Sequence, residues 1–179
     1  AVIASAQMPS YLVEPLSDQH DRQAFSCGIE ALDHYFRHQV GPDTRRGVAC
    51  AYVLVGIEDR RLVAGYCTLS STVIPLGEFP PAVAKRLPRY PVLPATLLGR
   101  LAISQTHQGQ NLGEYLLMDA LALSFRQSRK VASLAVVVDA KNEAARGFYL
   151  QYGFIPFLDP ATRLFLPMKT IARLVSRLL

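Results

Sequence analysis

Six consecutive residues, Gln108-Gly109-Gln110-Asn111-Leu112-Gly113, lie between an apolar run, Leu97 to Ile103, and an amphipathic segment, Glu114 to Phe125. The pattern predicts a strand, a glycine-bearing loop and a helix. At such a junction the first backbone N–H groups of the helix lack intrahelical partners and stand at the positive end of its dipole. That end attracts phosphate. Glycine matters because a side chain would keep a pyrophosphate away from the backbone. Spacing sets aside two other phosphate loops. A Walker loop needs a lysine after its last glycine, and here Glu114 follows Gly113. A dinucleotide loop needs GxGxxG with an acidic partner downstream, whereas Gly109 and Gly113 stand four apart.

The elements that must position this loop can be read in chain order. Tyr11–Pro15 alternates weakly and predicts a first strand. Phe25-Ser26-Cys27-Gly28 leads into a helix over Ile29–Val40, where Leu32, Tyr35, Phe36 and Gln39 recur at helical spacing. Gly41-Pro42-Asp43 is expected to stop that helix, leaving Arg45 and Arg46 in a loop. Ala49–Gly56 and Leu62–Ser70 read as paired strands around a turn at Glu58-Asp59-Arg60-Arg61. A proline-rich connector, Ile74–Pro94, follows, with a short helix over Pro81–Leu87 and the basic residues Lys85, Arg86 and Arg89. A connector of this length is either functional or a solvated surface loop.

Beyond the central helix, Ala132–Val138 is an apolar β-rich run expected to form a buried strand. Asn142 is placed to cap a helix running to Gln151. Phe154–Leu158 and Arg163–Pro167 should pair around Asp159-Pro160. The tail Met168–Leu179 carries Ile171, Leu174, Val175 and Leu178 on one face, with Lys169, Arg173 and Arg177 elsewhere. It predicts an amphipathic helix docked on its own domain rather than on a membrane surface. No internal repeat is visible.

The 179 residues suit one domain spanning the whole chain, large enough to bury its own core. Half the residues are hydrophobic and 18% are charged, and no apolar run reaches the length of a membrane span. Ala1–Gln7 lacks a basic leader and reads as a processed or appended segment before Met8. The three cysteines, Cys27, Cys50 and Cys67, are odd in number and share no CxxC spacing, so neither a disulfide framework nor a zinc site is indicated. A reducing cytoplasm and no metal are the expectation. The net charge of +5 fits either simple solubility or a face that binds a polyanion.

Gln108–Gly113 resembles the acyl-CoA loop of the GCN5-related N-acetyltransferases (GNATs), Arg/Gln-x-x-Gly-x-Gly/Ala. Gln108 and Gly113 match the first and last positions, and Asn111 stands where the middle glycine belongs. Asparagine is the side chain that best tolerates a left-handed backbone. Asp139–Phe154, DAKNEAARGFYLQYGF, is similar to the family's later signature. The element order β, α, β, β, connector, β, α, β, α, β, β is a third point of likeness.

The resemblance implies an α/β (α+β) fold: a central mixed, mostly antiparallel sheet of about six to seven strands, splayed at the acetyl-CoA site and flanked by helices. It implies that Leu101, Ala102 and Ile103 pair with the pantetheine amides through their main chain. Gln108, Gly109, Gln110, Asn111, Leu112 and Gly113 would hold the pyrophosphate, and Asn142 the pantetheine or phosphate region. Tyr149 would lie near the thioester sulfur. Acetyl transfer needs a neutral amine, a donor for the developing oxyanion and a proton for the departing sulfur. A phenol with a pKa near 10 is protonated at pH 7 and suits the last task. Taken alone, a tyrosine beside Phe148 on a helix against a sheet reads as core packing, as do Phe148, Tyr152 and Phe154. Lys130 and Lys141 could screen the nucleotide phosphate or simply be surface lysines. No general base stands out. Glu114 opens a helix, Asp119 is expected to be exposed, and His20, His34, His38 and His107 read as scattered surface residues. Direct attack by the amine, with water taking its proton, requires none.

Four further segments are similar to the acetyltransferase toxins of bacterial toxin–antitoxin pairs: Phe25-Ser26-Cys27-Gly28 with Leu32-Asp33, Arg86–Pro91, Leu97–Ala102 and Arg163–Thr170. That resemblance implies the free α-amine of aminoacyl-tRNA as acceptor, whose acetylation stops translation. It also implies a ribbon-helix-helix antitoxin and a homodimer. Arg45, Arg46, Lys85, Arg86, Arg89 and Arg100 are the candidates to hold tRNA phosphates. Two other readings remain at this level: a GNAT enzyme acetylating a small amine or a protein amino group, and a non-catalytic CoA-binding module suggested by Asn111.

Overall fold

The computed structural model describes residues 10–176. Ala1–Gln7 and the end of the expected tail helix, Arg177 and Leu178 included, lie outside the described residues. Among the described residues there are seven strands: β1 (Tyr11–Pro15), β2 (Cys50–Gly56), β3 (Val63–Pro75), β4 (Val92–Ile103), β5 (Ala135–Asp139), β6 (Ile155–Pro156) and β7 (Arg163–Pro167). They form one sheet in the order β1-β2-β3-β4-β5-β7-β6. β4 and β5 run parallel through Thr96, Leu97 and Leu98, while β1–β2, β5–β7 and β6–β7 are antiparallel. The helices are α1 (Glu30–His34), α2 (Val40–Arg45), α3 (Pro81–Ala84), α4 (Leu112–Ser128), α5 (Glu143–Gln151) and α6 (Met168–Val175). This is the expected mixed, mostly antiparallel sheet flanked by helices.

The described residues divide into two compact units. The first comprises the chain up to Cys67 together with Leu101–Leu116. Its core gathers Phe25, Leu32, Phe36, Val40, Val53, Val55 and Tyr66. The Phe36 and Tyr66 rings stack at 4.3 Å, and the Phe25 ring stands edge-on to Phe36 at 5.0 Å. The buried Tyr66 hydroxyl donates to Leu32 O at 2.8 Å, so burying the phenol leaves no unpaired donor. Val53, Leu54 and Val55 are all fully buried, the continuous run expected of a strand covered on both faces.

The second unit comprises Thr68–Arg100 and the chain from Leu117 on. Ile74, Phe79, Val137, Phe157 and Phe165 form its centre. Arg163 lies over the Phe157 ring at 5.2 Å and pairs with Glu78 at 3.0 Å. α6 buries Ile171 and Val175 completely, so the tail helix docks on its own unit as its amphipathic pattern predicts.

Three expectations are corrected. Gly41-Pro42-Asp43 does not stop the first helix. α1 passes through a π turn, Tyr35–Gln39, and resumes as α2 to Arg45. The wider turn, closed by Val40 N–H on Tyr35 O, lies just ahead of Pro42, so the helix continues past a residue that lacks an N–H. Arg45 is therefore helical, and the helix stops at Gly47, whose φ of +72 suits a left-handed end. Second, β3 extends to Pro75 and β4 begins at Val92, which shortens the connector. The β-branched stretch Thr72-Val73-Ile74 alternates outward and inward like any half-covered strand. Third, His20 is buried, not on the surface. Its Nε2 lies 2.8 Å from Glu14 Oε1 and its Nδ1 accepts Ser17 N–H at 3.0 Å. Burial pushes the imidazole below its usual pKa, against an opposing contribution from the Ser17 backbone.

Candidate functional site

The loop that joins β4 to α4 belongs to the first unit. After Ile103 the chain is tied to β3 by Ser104 N–H donating to Ala64 O at 2.8 Å, and makes one 3-10 turn over Gln105–His107. β3 lies close at this point. A Cβ on Gly65 would stand 2.9 Å from Ala102 O, so only glycine permits the approach. Gln108 to Asn111 are exposed, and α4 then runs for 17 residues.

Two left-handed residues shape the loop, Gly109 at φ +81 and Asn111 at φ +59. Asn111 thus holds the conformation that a glycine in its place would supply. Its carbonyl accepts Tyr115 N–H at 3.2 Å and starts α4. The first bond into α4 is Tyr115 N–H on Asn111 O, so the N–H groups of Leu112, Gly113 and Glu114 stand in the first turn, ahead of any intrahelical partner. No atom lies within 4 Å of where a Gly109 Cβ would be. Open space, first-turn N–H donors and a long helix dipole together suit a pyrophosphate. The Gln108 side chain faces inward instead, its amide nitrogen donating to Cys27 O at 3.1 Å and Ile103 O at 3.0 Å. Sequence reasoning missed what lies behind this contact. Asp33, buried in α1, holds the Ser26–Cys27 segment that receives Gln108. The available signal was a carboxylate beside Leu32 on the core-facing side of a helix.

In the second unit, Asn142 caps α5, accepting Ala145 N–H on its side-chain oxygen at 2.8 Å. Two turns on, Tyr149 is buried, with its ring 5.3 Å from Phe148 and 5.2 Å from Phe154. Phe154 is core, whereas Phe148 and Tyr152 are half-buried. Lys130 and Lys141 are exposed. Asp119 is half-buried rather than exposed, because it follows the buried pair Leu116-Leu117 by less than one turn and precedes buried Ala120. Burial raises its carboxyl pKa, and Arg126 offsets part of that rise.

Of the basic candidates, Arg45 and Arg46 are exposed at the end of α2 in the first unit. Lys85, Arg86 and Arg89 are exposed just after α3 in the second, and Arg100 on β4 is half-buried. Cys27 is buried and its thiol is pushed up to about 11, chiefly by burial, which makes it inert at neutral pH. Among the described residues no cluster of three or more metal-ligating side chains exists, and no helix is long and apolar enough to cross a membrane.

The family model of the acetyltransferase (GNAT) domain matches residues 50–156. A tRNA-acetylating toxin of Mycobacterium tuberculosis is 33% identical over 162 residues, 90% of this chain and 94% of that protein. Among solved structures, AtaT complexed with acetyl-methionyl-tRNAfMet is 33% identical, with a TM-score of 0.84 over 92% of this chain and 98% of that one. A tyrosine-to-phenylalanine mutant of AtaT bound to the C-terminus of the antitoxin AtaR and acetyl-CoA is 30% identical, with a TM-score of 0.79 over 93% and 99%. With the family match spanning more than half its length, this chain belongs to the GNAT acetyltransferases.

Proposed function

We propose that the protein transfers the acetyl group of acetyl-CoA to the α-amine of aminoacyl-tRNA and thereby acts as a toxin that blocks translation. The observation that carries this reading is the 33% identity, across nine-tenths of the chain, to a tRNA-acetylating toxin. One GNAT domain comprising both units is the accompanying reading, since the family match takes in parts of each. The loop fits the cosubstrate. The first-turn N–H groups of α4 offer donors for the pyrophosphate. The conformation of Asn111 answers the sequence-level argument for a broken loop, and with it the ground for a non-catalytic module.

Acetyl-CoA supplies an activated acetyl thioester. The chain's residues then have three tasks. The main chain of Leu101, Ala102 and Ile103 aligns the pantetheine arm by amide pairing. Gln108 to Gly113 holds the pyrophosphate, and Asn142, at the start of α5, is separately assigned a contact to the pantetheine or phosphate region. The Tyr149 hydroxyl donates a proton to the departing sulfur, while the amine loses its own proton to water. Arg45, Arg46, Lys85, Arg86, Arg89 and Arg100 draw in the tRNA backbone, an attraction that weakens with salt. The amide product cannot attack a peptidyl ester, so the acetylated aminoacyl-tRNA no longer serves elongation. We further assign the protein to the cytoplasm as a homodimer, held inactive by a ribbon-helix-helix antitoxin.

Cell-free translation with the purified protein, with and without acetyl-CoA, tests the reading when followed by mass analysis of the aminoacyl-tRNA. The expected result is arrest only when acetyl-CoA is present, together with an acetylated aminoacyl group. Unimpeded translation beside rapid acetylation of a small amine would replace the acceptor. Acetyl-CoA binding without turnover on any amine would remove the catalytic reading.

A further inference from the structure

We propose that Asp33 is a positioning residue for the acetyl-CoA loop, acting through the strap Ser26-Cys27-Gly28 that carries Gln105 and Gln108. The inference rests on the acetyl-CoA reading above and extends it to residues outside the loop.

The path is continuous within the first unit. Asp33 lies in α1 with only 4% of its surface exposed. One carboxylate oxygen accepts Cys27 N–H at 2.7 Å, and the other accepts the Ser26 hydroxyl at 3.1 Å. The opposite side of the same strap faces the loop. Ser26 O accepts Gln105 N–H at 2.8 Å, and Cys27 O accepts the Gln108 side chain at 3.1 Å. Gly28 completes the contact. It sits at φ +89, and the Gln105 side chain comes within 2.7 Å of where a Cβ would stand. A larger residue would be strained there and would displace Gln105.

Burying a carboxylate is costly unless it is hydrogen-bonded, and here each oxygen of Asp33 accepts one donor of the strap. Burial does push the Asp33 carboxyl up. The hydrogen bonds from Cys27 and Ser26, with the charge of Arg37, outweigh that effect and bring it below its usual value. The ionised form makes charge-assisted bonds that fix both residues of the strap. The strap in turn fixes Gln108, at the start of the loop that leads to the first-turn N–H groups of α4. Helix α1 thus sets where the phosphate donors point, and preorganised donors bind more tightly than mobile ones.

Acetyl-CoA affinity by calorimetry and steady-state kinetics on aminoacyl-tRNA, with the full chain, test the assignment. Asp33→Ala should raise both the Kd and the KM for acetyl-CoA by about 10-fold, the scale of a lost hydrogen bond to a charged group, with kcat within about two-fold. Asp33→Asn keeps an acceptor for Cys27 N–H and should show a smaller rise. Gln108→Ala should behave like Asp33→Ala, and the double variant should be no worse than the poorer single one, because both act through one contact path. A folded Asp33→Ala protein with wild-type acetyl-CoA affinity overturns the proposal, as does a fall in kcat at unchanged KM or full additivity in the double variant. If Asp33→Ala fails to fold, Ser26→Ala removes one of the two bonds and must itself weaken acetyl-CoA, or the proposal fails. A wild-type protein that binds no acetyl-CoA overturns the acetyl-CoA reading first, and this proposal with it.

Discussion

The side-chain oxygen of Asn142 accepts the backbone N–H of Ala145 at 2.8 Å and closes the first turn of α5. That bond satisfies one of the orphan donors of the helix, so Asn142 has a structural task beside the cofactor contact proposed for it. Asn142→Ala should cost about 1 kcal/mol of stability by urea unfolding, the usual worth of an N-cap. Asn142→Asp should keep the cap and the stability, yet place a negative charge where phosphate is expected. Weaker acetyl-CoA binding in Asn142→Asp at unchanged stability is the outcome that separates the two roles. Equal binding would leave Asn142 with the cap alone.

Tyr149 is buried against Phe148 and Phe154, and Phe in its place keeps that ring packing. Tyr149→Phe should therefore fold normally and bind acetyl-CoA as well as the wild type. Turnover should fall by roughly 100-fold or more, the scale of a lost general acid. Single-turnover kinetics with aminoacyl-tRNA read this directly. An unaffected rate would return Tyr149 to core packing.

Much of this was legible in the sequence, because the relevant signals were local. The cap at Asn142, the left-handed tolerance of Asn111 and the apolar runs of β5 and β7 each depend on residues within one turn or one strand. The misses were of another kind. The apolar spacing does not announce that the helix before Arg45 widens into a π turn, with Tyr35 and Phe36 buried in the first core. Pro42 then reads as a stop, yet the helix runs on to Arg45. Asp33 was visible only as part of a motif. Its role depends on Gln105 and Gln108, more than seventy positions away, and no periodicity encodes that pairing. His20 looked like a surface residue for the same reason: its burial depends on Glu14 across a turn.

Asn111 offers a test of the loop itself. At φ +59 it is the one described non-glycine residue with a left-handed backbone. Asn111→Gly should leave acetyl-CoA affinity and stability close to wild type, since glycine takes that conformation without strain. Asn111→Ala should lose roughly 1 kcal/mol from strain and bind acetyl-CoA less tightly as the loop shifts. Differential scanning fluorimetry with and without acetyl-CoA reads both effects. Similar behaviour of the two variants would show that this conformation does not control the loop.

Asp119 supplies the pH-dependent prediction. Burial raises its carboxyl pKa in the folded state, with Arg126 opposing, while the unfolded chain keeps the ordinary value near 3.8. The folded protein therefore holds this proton more tightly than the unfolded one. Its contribution to stability is present below the unfolded pKa and is lost as pH rises through the folded one. At pH 7 the group is ionised in a half-buried site and works against folding. Arg126 is exposed, so solvent weakens its compensation. Asn is nearly isosteric and carries no charge. Asp119→Asn should raise Tm at pH 7. The gain should shrink as the pH approaches 4, where the wild-type carboxyl becomes neutral too. Thermal melts of both proteins at pH 7 and pH 4 decide it. A gain of equal size at both pH values would point to packing rather than charge, and no gain at pH 7 would mean that the ionised Asp119 is fully compensated where it stands.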